Sequence, residues 1–427
     1  MAVNQWSSKG FGDCAELVRD TVHPAEAKSM PYIGLEHIAE NKLAIIGHGT
    51  SDDVTSMKSR FKKGDILFGK LRPYFRKVVI APFEGVCSTD IWVVRPKANI
   101  DRRYLFYWMA SQEFVDESMR GSGGTKMPRA QWEFVSRINR NIPSLSEQEA
   151  IGLILGTLDD KIELNRKMNE NLEAMARALF KSWFVDFDPV RAKVAGRDTG
   201  LPKHIADLFP DSFEDSELGE IPKGWEVKPF ADSVEIIGGG TPKTTVAEYW
   251  DGDIPWFSIV DAPGGSDVWV VDTGKKISQK GIEYSSTQIL PVGTIIISAR
   301  GTVGRIALVG VPMAMNQSCY GLRGKVESSR MFTYFSTKEL VGSLQQHAHG
   351  SVFDTITRET LAGVSIFMPS EKLIDAYECR VGPLLNRIRT SLFCSRTLAA
   401  LRDTLLPKLI SGELSVRDAE RVIGESV

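Results

Sequence analysis

The stretch that decides the fold is residues 146–185, SEQEAIGLILGTLDDKIELNRKMNENLEAMARALFKSWFV. It lacks proline, and Ser146 with Glu149 forms an S-x-x-E signature of a helix start. Apolar residues recur in it with a heptad rhythm, in two rows: Ile151, Leu158, Asn165, Leu172 and Leu179, and Leu155, Ile162, Asn169, Ala176 and Trp183. About 38 residues at ~1.5 Å each predict a helix of ~57 Å, which is too long to be stable without a partner.

The partner lies 226 positions later, in residues 371–412. There the two rows become Tyr377, Leu384, Ser391, Leu398 and Leu405, and Val381, Ile388, Ser395, Arg402 and Leu409. The two asparagines of the first helix correspond to two serines, and a buried polar layer fixes the register of a coiled coil at a cost in stability. We therefore predict a long pair of coiled-coil helices; two core helices of one globular domain are the alternative.

The same offset, 226–229 positions, runs through the rest of the chain. Residues 64–68, GDILF, return as 293–297, GTIII, and Gly121-Ser122 returns as Gly350-Ser351. Such a duplication predicts two similar domains related by an approximate two-fold, a pseudo-two-fold internal repeat. A protein of this kind suits a target that also has two halves.

A two-fold of this kind makes the helix pair antiparallel, so that the numbers of paired residues have a constant sum. Asn165 opposite Ser395 and Asn169 opposite Ser391 set that sum at 560. The other pairs in this register are apolar, except Leu158 with Arg402. For Arg402 we expect a packed stem and a head group in solvent.

Each repeat has the pattern of a mixed α/β domain before its long helix. Short β-rich runs predict strands at 66–68, 78–80, 91–94, 294–298 and 305–309. Residues 104–119 and 331–347 predict helices that end at Gly121 and Gly350, with exposed recognition loops after these glycines. The predicted fold class is α+β.

Composition indicates an ordinary folded protein. The 427 residues are 42% hydrophobic, enough for two or three cores. The five cysteines form no CxxC pair, which predicts reduced thiols instead of disulfides or a zinc site. The N-terminus has no signal-peptide pattern and no apolar run reaches ~18 residues, so we expect a soluble, cytoplasmic protein.

Charge is distributed unevenly, although the net charge is only −2. Residues 58–77 contain eight basic residues and one acid, and residues 275–325 contain seven basic residues and one acid. Two basic segments at nearly corresponding places in the repeats predict surfaces that bind phosphates. Solvated strand edges, on which lysines prevent aggregation, are the alternative.

Enzyme chemistry has little support in the sequence. It contains neither a G-x-x-x-x-G-K-[ST] phosphate loop nor a G-x-G-x-x-G dinucleotide turn. It also lacks the [DN]PP[YF] tetrapeptide typical of amino-methylating DNA enzymes. His347-x-His349 has no further ligand at metal spacing. We predict no catalytic residues and no metal site. The expected role of the chain is to recognise a target.

Five short segments carry a family resemblance. They are 179–190 (LFKSWFVDFDPV), 208–213 (LFPDSF), 219–225 (GEIPKGW), 239–242 (GGTP) with 254–256 (IPW), and 405–414 (LLPKLISGEL). Together they strongly resemble specificity (S) subunits of type I restriction-modification systems, over nearly the whole chain. The first repeat departs from the pattern because residues 18–27 have no GGTP counterpart, so its recognition mode is expected to differ.

The resemblance implies an order of domains. A first target-recognition domain is expected at 1–145, a central conserved helix at 146–185, a connector at 186–220, a second target-recognition domain at 221–370, a distal conserved helix at 371–412 and a C-terminal tail at 413–427. Each recognition domain is expected to read one half of an asymmetric bipartite site in double-stranded DNA.

The resemblance also implies that partners perform the chemistry. Two methylation (M) subunits, which bind S-adenosylmethionine, and two restriction (R) subunits, which use ATP and Mg²⁺, are expected to assemble around the chain. The chain itself is expected to bind no cofactor, no metal and no membrane. A stand-alone nuclease or methyltransferase, and an adapter that binds protein instead of DNA, are the alternatives.

Candidate DNA contacts follow from side-chain chemistry, because Arg, Lys and Gln carry the donors that meet phosphates and read the major groove. Phosphate contacts are expected at Lys58, Arg60, Lys62, Lys63, Lys275, Lys276 and Lys280. Base contacts are expected at Lys70, Arg72, Tyr74, Lys126, Arg300, Arg305, Gln317 and Ser351.

Overall fold

The computed structural model of the chain describes residues 6–122, 126–264, 266–326, 329–347 and 355–426. The chain divides into two compact units: unit 1 combines residues up to 162 with those from 397 onward, and unit 2 comprises residues 163–396. Each unit therefore contains part of both long helices, and unit 1 is discontinuous in sequence. The domain order predicted from the sequence is, in contrast, linear.

Unit 1 combines short helices with one antiparallel sheet and one mixed sheet. Its helices are α1 Phe11–Cys14, α2 Arg102–Ala110, α3 Gln112–Arg120, α4 Trp132–Val135, the first part of α5 Leu145–Phe184, the last part of α12 Glu371–Ser411, and α13 Val416–Ser426. Its strands are β1 Ser7–Gly10, β2 Ala15–Leu17, β3 Thr21–Val22, β4 Pro31–Ile33, β5 Gly49–Thr50, β6 Lys58–Phe61, β7 Ile66–Gly69, β8 Val78–Ile80, β9 Gly85–Cys87, β10 Ile91–Pro96 and β11 Asn139–Ile142. The sheet orders are β2-β10-β7-β8 and β3-β6-β9-β4-β5, and β1 pairs with β11.

Unit 2 has a similar composition. Its further helices are α6 Asp188–Val194, α7 Lys203–Ala206, α8 Phe230–Ser233, α9 Gln279–Glu283, α10 Arg330–His347 and α11 Arg358–Ala362. Its strands are β12 Phe213–Ser216, β13 Gly219–Pro222, β14 Glu226–Pro229, β15 Val234–Gly238, β16 Ile254–Phe257, β17 Trp269–Val270, β18 Lys276–Ile277, β19 Ile295–Ser298, β20 Ile306–Val309, β21 Ala314–Met315, β22 Cys319–Gly324 and β23 Ser365–Met368. The sheet orders are β15-β22-β19-β20-β17 and β18-β16-β21, with the separate pairs β12-β13 and β14-β23.

The internal repeat predicted from the sequence is present in the fold. The order β2-β10-β7-β8 of unit 1 returns as β15-β22-β19-β20 in unit 2, and the pair β1-β11 returns as β14-β23. Even the parallel pairing of β4 with β9 returns, as that of β16 with β21. The prediction of two similar mixed α/β domains with a pair of long helices is confirmed.

Within each unit, α5 and α12 lie side by side and run in opposite directions. In unit 2, Tyr377 near the beginning of α12 donates its hydroxyl to the carbonyl of Ala176, toward the end of α5, at 3.4 Å. In the same unit Asn165, earlier in α5, donates to Ser395, later in α12, at 3.1 Å. In unit 1, Asp159 of the early part of α5 pairs with Arg402 of the late part of α12. The numbers fall along one helix as they rise along the other, so the pair is antiparallel.

The polar layer of the helix pair is asymmetric. Asn165, 4% exposed, donates to Ser395 Oγ at 3.1 Å, which is the pairing that the sum of 560 assigns. The second expected pair is not joined by a hydrogen bond. Asn169 donates instead to Asp267 at 3.3 Å, and its own Oδ1 and the hydroxyl of Ser391 are buried without a partner among the described residues. Such orphaned groups cost about 1–3 kcal/mol each.

The expectation of a solvent-exposed head group for Arg402 was wrong. Its side chain is 3% exposed, with Nη1 at 2.5 Å from Asp159 and Nη2 at 3.1 Å from Asp403. Asp159 follows Leu158 in α5 and also accepts a hydrogen bond from the hydroxyl of Tyr107 at 2.6 Å. The arginine stays inside because this carboxylate supplies a counter-charge there. Breaking a buried pair of this kind by removing one partner costs about 3–5 kcal/mol.

The segment 186–220, predicted as a connector, is a folded part of unit 2. It contains α6, α7 and β12, and it buries Val190, Ile205 and Phe209 in the core of the unit. Phe209 packs edge-on against Trp183, with 5.1 Å between the ring centres. The segment therefore closes the core around the end of α5.

Residues 104–119, predicted as one helix, belong to two. Ser111 lies between α2 and α3, where its hydroxyl donates to Trp108 O at 2.7 Å and accepts from Phe114 N at 3.3 Å. Serine side chains compete with the backbone for hydrogen bonds in this way, which ends one helix and caps the next.

One helix end is capped differently in the two units. In unit 1, Asp101 caps α2 by accepting a hydrogen bond from Tyr104 N at 2.9 Å. Gly152 of α5 leaves room for this carboxylate, since a Cβ at Gly152 would lie 2.8 Å from Asp101 Oδ1. The long helix contributes to this helix end through Gln148, whose Oε1 accepts a hydrogen bond from Asp101 N at 2.9 Å.

In unit 2 the carboxylate comes from the long helix instead. Ser329 occupies the place of Asp101, 228 positions later, and Glu378 occupies that of Gly152, 226 positions later. Glu378 Oε1 accepts from the backbone N–H groups of Met331 and Phe332 at 2.6 and 2.8 Å, at the start of α10. The two substitutions compensate each other, so in each unit one carboxylate accepts at least one hydrogen bond from a backbone N–H group at the start of the helix.

We predict that ionisation of Glu378 makes unit 2 less stable as the pH rises toward neutrality. Burial raises the pKa of Glu378 to about 7, above the ~4.3 of an unfolded glutamate. The folded state therefore binds the proton more tightly. The resulting stabilisation is full below the unfolded pKa and is lost as the pH rises through about 7. Thermal unfolding of wild type and Glu378→Gln from about pH 4 to about pH 8 measures this difference.

The glutamine variant should show a smaller fall of the melting temperature over this interval. Glu371→Gln, at an exposed position of the same helix, is the matched control and should behave like wild type. An identical pH dependence in Glu378→Gln and wild type would contradict the assignment.

Candidate nucleic-acid interface

In unit 1 the predicted base-reading residues surround the end of β7. Ala130 N donates to Lys70 O at 2.9 Å, and Arg72 N donates to Pro128 O at 2.8 Å. These bonds place the segment 70–72 beside the segment that begins with Lys126, which is exposed. Tyr74, 45% exposed, follows in a short 3-10 helix. The structure thus brings Lys70, Arg72, Tyr74 and Lys126 to one end of the sheet.

The corresponding end of the sheet in unit 2 carries Arg300 and Gln317. Ala299 N donates to Ser318 O at 2.8 Å, and Ile356 N donates to Ala299 O at 2.8 Å. Arg300 therefore lies between the start of β22 and residues 355–356. Gln317 accepts a hydrogen bond from Thr241 of the Gly-Gly-Thr-Pro stretch. Arg305 is exposed just before β20, at the same end.

The two sheet ends are equivalent in detail. Leu71 pairs with Arg129 in an antiparallel bridge in unit 1, and Arg300 pairs with Thr355 in unit 2. The offsets are 229 and 226 positions, the values found in the sequence repeat. Each bridge contains one arginine. In unit 1 it is Arg129, on the second of the two bridged segments, and in unit 2 it is Arg300, on the first. Arg129 also pairs with Asp90 at 3.1 Å. It was not among the residues predicted from the sequence, although subtracting the repeat offset of 226 from Thr355 gives its position.

The predicted phosphate contacts of unit 1 lie at the other end of β7. Arg60 is on β6, and Lys62 and Lys63 are in the turn that leads into β7, whereas Lys70 follows that strand. The side chains of Arg60, Lys62 and Lys63 are exposed. The structure therefore separates the basic segment 58–77 into two groups, one at each end of the strand.

Lys58 differs from its neighbours. It is 5% exposed, and its ammonium donates to the carbonyl and the hydroxyl of Ser56, both at 2.7 Å. Burial lowers the pKa of Lys58, and the ammonium lies 5.6 Å from the ring centre of Tyr32. Because the ammonium is buried and two of its three donors bind Ser56, Lys58 is unsuited to bind a phosphate.

The predicted phosphate contacts of unit 2 do not lie where those of unit 1 do. Lys276 lies on β18, which pairs with β16, and α9 separates it from β19. The predicted phosphate contacts of the two basic segments therefore do not correspond in the fold, whereas the predicted base contacts at the two sheet ends do. Lys275 lies over Trp250, with 5.6 Å from its ammonium to the ring centre.

The other two lysines of this group have acidic neighbours. Lys276 pairs with Asp272 at 3.7 Å. Lys280 pairs with Glu248 at 2.8 Å, and this hydrogen bond raises the pKa of Lys280. Exposed pairs are worth ~0–1 kcal/mol, so a phosphate could displace either carboxylate.

Ser351 lies outside the described residues. Within the described part of the chain, no group of three or more His, Cys, Asp and Glu side chains could hold a metal ion. None of the helices in that part combines the length and the apolar character needed to cross a membrane.

A duplicated α/β domain combined with a pair of long antiparallel helices defines the class of this protein. The family model described as "Type I restriction modification DNA specificity domain" matches the chain twice, at residues 19–174 and 222–372. The chain belongs to this family, whose members are the recognition components of type I restriction enzymes. The resemblance found in the sequence is confirmed.

Individual relatives cover nearly the whole chain. It is 28% identical to the type I restriction enzyme HindI specificity subunit of Haemophilus influenzae, over 96% of this chain and 100% of that protein. It is 24% identical to the MjaIX specificity subunit of Methanocaldococcus jannaschii, over 97% and 94%. Its fold is similar to that of the type I restriction-modification S subunit from M. genitalium, with a TM-score of 0.56 and 14% identity over 96% and 97% of the chains. These relatives support a role in DNA recognition.

We predict that Lys62→Ala together with Lys63→Ala weakens binding to duplex DNA. The slope of log K against log salt concentration should fall by about 0.9 for each phosphate contact that is lost. Lys58→Ala should leave the slope unchanged, because its ammonium is occupied inside the domain. Fluorescence anisotropy over a salt series measures the slope.

Lys161→Ala, at an exposed position on α5, is the matched control and should bind like wild type. A double variant with the wild-type slope would remove the turn before β7 from the interface.

Proposed function

We propose that the chain is the DNA-binding specificity subunit of a type I restriction-modification complex and that it reads an asymmetric bipartite site. Each recognition domain reads one half. The observation that carries this proposal is the equivalence of the two sheet ends, with the bridge Leu71–Arg129 in one unit and Arg300–Thr355 in the other. Equal scaffolds that present different side chains suit two half-sites with different sequences.

Affinity and specificity come from different groups in this proposal. Flexible exposed cations such as Arg60, Lys62 and Lys63 neutralise phosphates and carry no sequence information. The sheet ends carry side chains with several donors, including Arg300 and Gln317, which suit the edges of bases in the major groove.

The helix pair sets the spacing between the half-sites. Asn165–Ser395 and Asp159–Arg402 hold it in one register, and sliding one helix along the other would separate both pairs. A pair in a single register gives the half-sites a constant separation. A separation of roughly one turn of DNA, ~34 Å, matches the spacing common to paired DNA readers.

Catalysis belongs to partner subunits in this proposal. Two methylation subunits supply S-adenosylmethionine chemistry, and two restriction subunits use ATP and Mg²⁺. Besides family membership, an apolar face on α5 supports assembly with protein partners. Leu164 and Met175 are each 58% exposed, and eleven residues are about three helical turns, so both lie on one face.

Two other functions give different outcomes in simple assays. A gel shift on duplex DNA, with and without a methylation subunit, distinguishes the specificity subunit from an adapter that binds only protein. Purified chain that cuts or methylates DNA without partners would establish a stand-alone enzyme and overturn the division of labour.

We predict that exchanging residues 6–143 for those of a relative changes one half of the methylated motif and preserves the other. These boundaries keep β1 and β11 together, which pair from Ser7 with Ile142 to Gly10 with Asn139. Mapping methylated positions across the genome of a host that carries the exchanged subunit measures the outcome.

The matched exchange is residues 225–369, which keeps the pair β14–β23 intact. It should change only the other half of the motif. A change in both halves after either exchange would contradict the assignment of one half to each domain.

A further inference from the structure

The backbone of Arg72 has a conformation that is unfavourable for an arginine. Its φ of 52° and ψ of 62° lie in the left-handed region, which is unfavourable for L residues. Pro73 follows, and a residue before proline is restricted further toward extended conformations. The equivalent position in unit 2, 229 residues later, is Gly301 with φ 80°, and glycine adopts this region freely. Unit 1 keeps an arginine where unit 2 has the unstrained residue.

Hydrogen bonds on both sides hold this backbone in place. Arg72 N donates to Pro128 O at 2.8 Å, and Arg72 O accepts from Phe75 N at 3.0 Å. The direction in which the side chain leaves the backbone is therefore determined by the fold.

The guanidinium group is inserted halfway into the domain. Nε of Arg72 is buried and has no hydrogen-bond partner among the described residues. The residue as a whole is partly exposed. No hydrogen bond or ion pair joins this side chain to any described residue. Burial of Nε holds one edge of the guanidinium inside the domain, so Nη1 and Nη2 are the donors left for a ligand.

Arg76 is a second arginine with a left-handed backbone conformation, and its side chain binds groups within the domain. Its φ is 49°, close to that of Arg72. Its Nε donates to Ala110 O at 2.5 Å, and its Nη2 reaches Asp403 at 3.3 Å. Internal contacts thus account for the strain at Arg76. At Arg72 they do not, and backbone strain without an internal partner indicates a functional contact.

We propose that Arg72 reads a guanine in the half-site bound by unit 1, with Nη1 and Nη2 donating to O6 and N7 in the major groove. This assignment rests on the proposed function. The terminal pair of nitrogens matches the two acceptors of guanine, the commonest specific contact of arginine with DNA. Among the described residues the guanidinium has no hydrogen-bond partner, and in this proposal it completes its hydrogen bonds on the base.

A phosphate also offers two acceptors, but it is the less suitable ligand. Lys70 and Lys126 lie at the same sheet end and can reach phosphates as flexible point charges, without a strained backbone. An oriented, rigid fork can meet two acceptors of one base at once, which distinguishes that base from the others.

The test is the methylated motif of the assembled enzyme carrying Arg72→Gly. Methylation should spread to sites in which a single G·C pair of one half is replaced. Discrimination at that pair should fall by roughly five- to 150-fold, while the half read by unit 2 stays unchanged. The melting temperature of the variant should be equal to or above that of wild type, because glycine relieves the left-handed strain.

Two further variants separate the possible roles. Arg72→Lys keeps the charge but loses the fork, so it should relax the same base pair with the salt dependence of wild type. Arg76→Gly is the control for the backbone conformation. It should lower the melting temperature and leave the motif unchanged.

Two results would overturn the assignment and leave the proposed function intact. An unchanged motif with uniformly weaker binding and a smaller salt slope would make Arg72 a phosphate contact. Loss of methylation together with a lower melting temperature in Arg72→Gly would make it a structural residue. A wild-type complex that methylates no bipartite motif would instead overturn the proposed function, and this assignment with it.

Discussion

The antiparallel pairing of α5 with α12 is the constraint on which the rest of the structure depends. Most of the stability of a helix in a protein comes from packing its apolar face, so each of the two helices depends on burying its apolar rows against the other and against the recognition domains. Leu155 and Leu409 are fully buried in unit 1, as are Ala176 and Tyr377 in unit 2. The apolar rows alone would tolerate several registers. The polar and charged contacts select one of them, at the cost of orphaned groups in the same layer.

The two repeats share a backbone and differ in side chains, and the differences are of two kinds. Some compensate each other, as where Asp101 and Gly152 become Ser329 and Glu378 and one carboxylate still caps the helix. Arg72 in place of Gly301 has no such compensation among the described residues of the domain. Compensated differences preserve the scaffold, whereas an uncompensated one adds strain that a packing role does not explain. This contrast supports the proposed recognition at the sheet ends more strongly than the distribution of charge does.

Sequence periodicity predicted the long helices, their direction and the duplication, because each of these signals repeats over many turns or over a whole domain. The hydrogen bond between Asn165 and Ser395 lies where the heptad rows place it. What the sequence could not reveal depends on single contacts between distant segments. Asp267 takes the hydrogen bond of Asn169, Asp159 keeps Arg402 inside, and Ser56 occupies Lys58. Basic residues can be counted in a sequence, but their exposure and partners are set by the fold.

The central claim is that the register and length of the helix pair determine the spacing of the DNA site. The most direct measurement is the methylated motif after a matched insertion of four helical residues in both helices. The insertion points, between Ala174 and Met175 and between Leu385 and Asn386, lie opposite each other in the register of 560. Four residues add ~6 Å of helix, so the account predicts unchanged half-sites separated by roughly one or two additional base pairs. Insertion after Ala174 alone breaks the register and should abolish methylation or lengthen the spacer. A matched insertion that methylates the wild-type motif with its original spacer would contradict the account.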